Sequence, residues 1–200
     1  MAVRVVIAED EAIIRLDLRE ILEEQGYEVV GETGRGDEAV ALVRDRQPDL
    51  AILDIRMPGI DGLAAARQIS EDGRCAVLIL TAFSQRNLIE EARDAGALAY
   101  LIKPFTQAEL VPAIEVALGR FREMQAIKEA NSTLEEQLAT RRAVDRAKGI
   151  LMDEYGMKES ASFEFVQKTA MRERRKMREV AEDVVAGTLR PPDAAAEGTA

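Results

Sequence analysis

Residues 50–62 read LAILDIRMPGIDG, and the fold turns on how that run is interpreted. Four apolar residues end at a carboxylate, Asp54, and Met57-Pro58-Gly59 then imposes a turn, because proline cannot continue a strand ladder and glycine accepts left-handed backbone. A carboxylate in that place is either a surface accident or a reactive group held at the lip of a sheet. The choice depends on what the rest of the chain brings beside it.

Outward from this run, short β-rich stretches alternate with amphipathic ones. VRVVIA (3–8), YEVVGE (27–32), DLAILD (49–54), AVLILT (76–81) and LAYLI (98–102) read as strands, and helical patterns fall at roughly 11–25, 36–46, 61–71 and 85–95. Several strands are almost continuously apolar, as parallel strands covered on both faces are. Gly26, Gly73 and Gly96 follow the expected helix ends, where a left-handed cap favours glycine. The pattern predicts an α/β fold, a doubly wound sheet of five parallel strands. Ligands of such sheets bind beyond the carboxyl ends of the strands. Those ends carry Glu9-Asp10-Glu11, Asp54, Thr81 and Lys103-Pro104. Their convergence makes surface accident a poor account of Asp54.

Composition narrows the chemistry. The 200 residues hold no histidine and one cysteine, Cys75, so histidine catalysis, zinc sites and internal disulfides are excluded. Any metal here is a hard cation on oxygen ligands, and Mg²⁺ suits clustered carboxylates. No apolar run approaches the ~18 residues of a membrane span, and MAVRVVIAEDE turns acidic too early for a signal peptide; a cytoplasmic protein with no membrane partner is expected. The net charge of −10 is uneven: residues 141–178 carry 11 basic and 6 acidic side chains, against 15 and 26 in residues 1–140. That local excess reopens nucleic-acid binding for one segment of an acidic protein.

A fifth helix is expected from about Thr106, with no breaker before Gly149. Along it Met124, Ile127, Asn131, Leu134 and Leu138 recur at heptad-like spacing. This seam either packs on its own protein or forms a short coiled coil with a partner chain, in which Asn131 sets register. Beyond it, Val144, Ala147 and Leu151, then Phe163, Val166 and Ala170, then Met177, Val180, Ala181 and Val184 mark three short helices that need one another to bury their stripes. The tail GTLRPPDAAAEGTA has no apolar period and reads as disordered. The expected division is 1–120, a helical linker 121–140, a small all-α domain 141–186 and the tail 187–200.

With a cation neutralising the carboxylates, Asp54 can attack phosphorus and form an acyl phosphate, Lys103 can pair with the transferred group, and the Thr81 hydroxyl can donate to it. No base is present to activate water, so sustained turnover is not expected. An aspartate-nucleophile phosphatase would need a second Asp two residues on, and Arg56 stands there. The acidic pair Glu9-Asp10, Asp54 with the following Met-Pro and Asp-Gly, Thr81 and Lys103-Pro104 together resemble the receiver domain of two-component response regulators, a flavodoxin-like fold. That resemblance implies phosphorylation of Asp54 by a sensor histidine kinase. It further implies Mg²⁺ on Asp10, Asp54 and the Arg56 backbone carbonyl with Glu9 acting through water, a cis Lys103-Pro104 bond, and Thr81 and Tyr100 as switch residues. Glu9 departs from the commoner Asp.

Residues 141–185 resemble the ANTAR family of RNA-binding antiterminator domains, through Arg142-Ala143-Val144, Ala147-Lys148-Gly149-Ile150-Leu151-Met152, Phe163, Ala170-Met171 and Met177-Arg178-Glu179-Val180-Ala181; Ser162 stands where alanine is usual. The whole chain is thus similar to phosphorylation-dependent antitermination regulators of actinobacteria. The resemblance implies binding of RNA stem-loops in nascent transcripts and a phosphorylation-promoted homodimer. Lys148, Arg172, Arg174 and Arg175 are the expected RNA contacts, Lys148 from the motif and the others from charge. Tyr155 can stack on a base or pack within the bundle. A phosphorylation-controlled DNA-binding transcription factor and a protein-docking relay remain as alternatives.

Overall fold

The computed structural model describes residues 2–82 and 86–192, in two compact units, Met1–Ala126 and Ile127–Ala200. The first unit contains strands β1 (Arg4–Ala8), β2 (Glu28–Thr33), β3 (Leu50–Asp54), β4 (Ala76–Thr81) and β5 (Ala99–Ile102), with helices α1 (Ala12–Glu24), α2 (Gly36–Arg46), α3 (Gly62–Asp72) and α4 (Arg86–Asp94) between them. All strands are parallel, in the order β2-β1-β3-β4-β5. The order reverses between β1 and β3, so a crevice opens at the carboxyl ends of those two strands.

Strand alternation divides the core into two layers. Val5, Ile7, Ile52, Leu78 and Leu80 pack with Leu18 and Leu22 of α1 and with Leu110 and Ile114 of helix α5 (Gln107–Tyr155). On the other face Val6, Leu53, Val77 and Ile79 pack with Val40 and Val43 of α2 and Ile69 of α3. Every residue of β3 and β4 is buried, which is why those runs are apolar up to their last residues, Asp54 and Thr81. Asp61 caps α3 by accepting from the Ala64 N–H at 2.7 Å, and Gly73 closes the helix at φ 63°. At the start of α5 the Thr106 N–H and hydroxyl donate to the Glu109 carboxylate at 2.8 and 2.9 Å, the side-chain-to-backbone half of a capping box. Those two bonds hold the Glu109 carboxyl below its usual range.

The second unit comprises the later part of α5, α6 (Glu159–Glu173) and α7 (Met177–Val185). Its core is Val144, Ala147 and Leu151 of α5, Val166 and Ala170 of α6, and Val180, Ala181 and Val184 of α7. Two differences from the sequence expectation appear. The first of the three expected short helices is not separate: α5 continues through Gly149 to Tyr155 and ends at Gly156, φ 65°. A mid-helix glycine costs only about 1 kcal/mol, and Ala147 and Leu151 on either side are buried. Phe163, expected in the buried stripe, stands 41% exposed. Along the expected seam on α5, Met124, Ile127, Leu134 and Leu138 are exposed at 48, 62, 57 and 54%. Among the described residues no helix is long and apolar enough to cross a membrane. The expected helix start at residue 85 and the tail beyond 192 lie outside the described residues.

Candidate functional site

Glu9 and Asp10 follow β1 and Asp54 ends β3, so the reversal of strand order sets three carboxylates around one crevice. Their ligand oxygens lie within 4.8 Å of one another. Lys103, just past β5, reaches between them: its ammonium is 2.9 Å from Asp54 Oδ1 and 2.5 Å from Glu9 Oε2. Asp54 Oδ2 accepts from the Arg56 N–H at 3.1 Å. Thr81 is buried at the end of β4, one residue beyond the Asp54–Leu80 pair, and its carbonyl accepts from the Lys103 N–H at 2.8 Å. The Lys103-Pro104 peptide is cis. Tyr100 points outward from β5, 43% exposed. The fold thus brings Glu9, Asp10, Asp54, Thr81 and Lys103 to one end of the sheet and leaves Tyr100 at the surface nearby.

Three carboxylates face one ammonium, which leaves negative charge unbalanced in a mostly buried site. Glu9 is fully buried, and burial, with Asp54 adding to it and Lys103 opposing, pushes its carboxyl above the usual range. Burial works against the Lys103 charge, but its contacts with Glu9 and Asp54 outweigh that and raise its pKa. Glu9 Oε2 has no hydrogen-bond partner beyond its ion pair with Lys103. Carboxylate oxygens gathered this closely suit a hard divalent cation such as Mg²⁺. An oxygen-only cluster, excess negative charge and an under-satisfied buried carboxylate all fit such an ion.

Some supports of the site were not legible beforehand. The Arg15 guanidinium of α1 donates to the Glu9 carbonyl at 2.5 Å, fixing the loop that carries Glu9 and Asp10. Nothing in the local pattern distinguishes Arg15 from any other surface cation of an amphipathic helix. Gly62 is required by packing: its N–H donates to the Ile55 carbonyl at 2.9 Å, and a Cβ there would lie 1.9 Å from the Asp54 carbonyl oxygen. Gly59, φ 84°, turns the chain just before it.

In the second unit the four expected RNA contacts separate into two kinds. The Lys148 ammonium is held by Glu159 at 2.9 Å and Asp145 at 3.3 Å, with its side chain 19% exposed. Arg175 binds Asp183 at 2.7 Å, Glu173 at 3.4 Å and Glu179 at 3.6 Å. These two tie helices together. Arg172 is 73% exposed beside Glu173 at 3.2 Å. Arg174 is exposed in the turn between α6 and α7, in left-handed backbone at φ 53°. Tyr155 packs partly buried against the core.

Residues 5–115 match the response regulator receiver domain family, and residues 132–185 the ANTAR domain family. The transcriptional regulatory protein PdtaR of Mycobacterium tuberculosis is 53% identical over 189 residues, 94% of this chain and 92% of that protein. The chemotaxis protein CheY of Bacillus subtilis is 34% identical over 120 residues, 60% of this chain and all of that one. Among solved structures, the receiver domain of the NarL response regulator of Mycobacterium tuberculosis superposes with a TM-score of 0.57 at 32% identity, covering 59% of this chain and 97% of that chain. The chain therefore belongs to the response regulator family, as a receiver domain joined to an ANTAR domain.

Proposed function

We propose that this protein is a phosphorylation-controlled antiterminator. A sensor histidine kinase phosphorylates Asp54, and the second unit then binds RNA stem-loops in nascent transcripts. The observation that carries the reading is the Glu9–Asp10–Asp54–Lys103 constellation in a chain that also holds an ANTAR-type helical unit with a basic stretch at residues 171–178. In the transfer an Asp54 carboxylate oxygen attacks phosphorus, and the bond from phosphorus to the donor imidazole nitrogen breaks, its electron pair remaining on nitrogen. Mg²⁺, when held by Asp10, Asp54 and the Arg56 carbonyl with Glu9 through water, offsets the charge of the phosphoryl oxygens. Lys103 moves its ammonium from Asp54 to a phosphoryl oxygen, and the Thr81 hydroxyl donates to another. Tyr100 follows Thr81 inward, changing the face built from α4, β5 and α5. The exposed seam on α5 gives the phosphorylated protein a dimer contact, with Asn131 at a register-setting position. Arg172 and Arg174 stand open for RNA, whereas Lys148 and Arg175 must first release carboxylates.

The test is a salt titration of binding to a tandem stem-loop RNA and to duplex DNA of equal length, with and without beryllofluoride and Mg²⁺. RNA-selective binding that strengthens with the phosphoryl mimic, and no longer responds to it in Asp54→Asn, is the expected result. Equal, wholly salt-sensitive binding to both would mark nonspecific charge attraction and overturn the proposal; preference for the duplex would favour a DNA-binding factor.

A further inference from the structure

Between α5 and the start of α7, with Phe163 of α6 in its wall, the second unit holds a groove of about 740 Å³. Sites of ~300–1,000 Å³ enclose one small molecule or group. Its apolar surface comes from Val144, Phe163 and Met177, and its rim carries the cations Arg141, Lys148, Lys176 and Arg178 against the carboxylates Glu136 and Asp145. Phe163 is the exposed aromatic of this unit among the described residues; Tyr155 and Phe165 pack against its core. A ring left open at a cationic groove is poor solvent-facing design for a small helical unit but suits a flat, anion-flanked ligand.

We infer that this groove receives an unstacked base from an RNA loop, stacked on Phe163, with Lys176 and Arg178 taking the flanking phosphates. The inference rests on the reading of this unit as an RNA binder and assigns its base-recognition surface. Single-stranded nucleic acids are held by aromatic platforms beside cationic tracks, because every base has a π-face and every linkage a charge. Lys176, just before α7, reaches back to Glu136 of α5 at 2.7 Å, and Arg178 pairs with Glu182 at 2.7 Å. Both pairs are exposed, so neither is strongly held, and a phosphate can replace the carboxylate in each. Glu136 is the anion that phosphate would displace from Lys176. Lys168, by contrast, exposed beside Glu164 at 2.6 Å, lies on another flank of α6 from Phe163, by helical phase.

The experiment is a titration of the full chain, with beryllofluoride and Mg²⁺, against a stem-loop RNA carrying 2-aminopurine in its loop. Wild type, Phe163→Leu, Phe163→Tyr, Glu136→Gln and Lys168→Ala are compared, with thermal midpoints confirming the fold. Stacking contributes enough that Phe163→Leu weakens binding at least about fivefold and removes the quenching of 2-aminopurine, while Phe163→Tyr retains both. Glu136→Gln strengthens binding about twofold or more, and Lys168→Ala changes it less than twofold. Should Phe163→Leu fail to fold, the gain in Glu136→Gln and the retained quenching in Phe163→Tyr decide the matter. Wild-type affinity and quenching in Phe163→Leu, or a larger loss in Lys168→Ala, would overturn the groove while leaving RNA binding intact. A wild-type protein with no preference for RNA over duplex DNA would instead overturn the RNA reading itself.

Discussion

Replacing Gly62 by alanine should damage the phosphorylation site through the backbone, without touching a reactive group. The added Cβ would stand 1.9 Å from the Asp54 carbonyl oxygen, 2.8 Å from its carbonyl carbon and 3.0 Å from Ile55 Cα. Real contacts rarely close below 3.0 Å, so about 1.1 Å must be recovered by moving one segment of main chain off another. Overpacking of this kind costs ~1–3 kcal/mol, and backbone atoms cannot rotate away as a side chain can, which puts the cost near the upper figure. For a unit of this size each kcal/mol lowers the midpoint by roughly 3–5 °C, giving a fall of about 10–15 °C. The same shift drags Asp54 off its place against Lys103, and a displacement of ~1 Å can slow a positioned reaction about 100-fold. Differential scanning calorimetry and phosphorylation of Asp54 by a small-molecule phosphodonor report the two effects. Gly119 is the control: it lies inside α5 with nothing within 4 Å of the added atom, so Gly119→Ala should stabilise by about 0.5–1 kcal/mol. A Gly62→Ala protein that melts and phosphorylates like wild type would refute the argument.

Three further outcomes are expected. Burial pushes the Cys75 thiol from 9.0 up to about 12, so the folded protein holds that proton more tightly than the unfolded chain. Its share of stability is intact below pH 9 and declines as pH rises above it, and native Cys75 should resist alkylation at pH 8 until denaturant is added. Leu134→Glu, at a position 57% exposed, should leave the thermal midpoint of the isolated chain unchanged while abolishing beryllofluoride-dependent dimerisation in sedimentation velocity; a dimer that persists would place the contact elsewhere. Arg174→Gly relieves a left-handed position at φ 53° and should stabilise the fold by about 0.5–1 kcal/mol, yet weaken binding of stem-loop RNA; a gain in stability with undiminished affinity would make Arg174 a bystander.

The periodicity of residues 3–118 was enough to place the strands and helices of the first unit within a residue or two, because parallel strands covered on both faces leave long apolar runs and three of the four helices between them close at glycines, α2 closing at Gln47 instead. The residues of the acidic site were legible for a related reason. A doubly wound sheet puts ligands at strand ends, so position along the strand already located Glu9, Asp54, Thr81 and Lys103 at one edge. Gly149 misled the helix boundary, since glycine weakens a helix but does not end it when its neighbours are buried.

Charge was the less reliable guide. Counting cations in residues 171–178 could not tell Arg172, which faces solvent, from Arg175, whose guanidinium is claimed by Asp183, Glu173 and Glu179. Nor could a helical stripe containing Phe163 show that its ring is left at the lip of a groove. The sequence by itself determined the elements, the sheet and the chemistry available at its edge, because those follow from local period and from the order of residue types along the chain. The tertiary structure alone decided which cations are free, which apolar stripes stay open and which glycines are irreplaceable, because each depends on atoms brought together from distant parts of the chain.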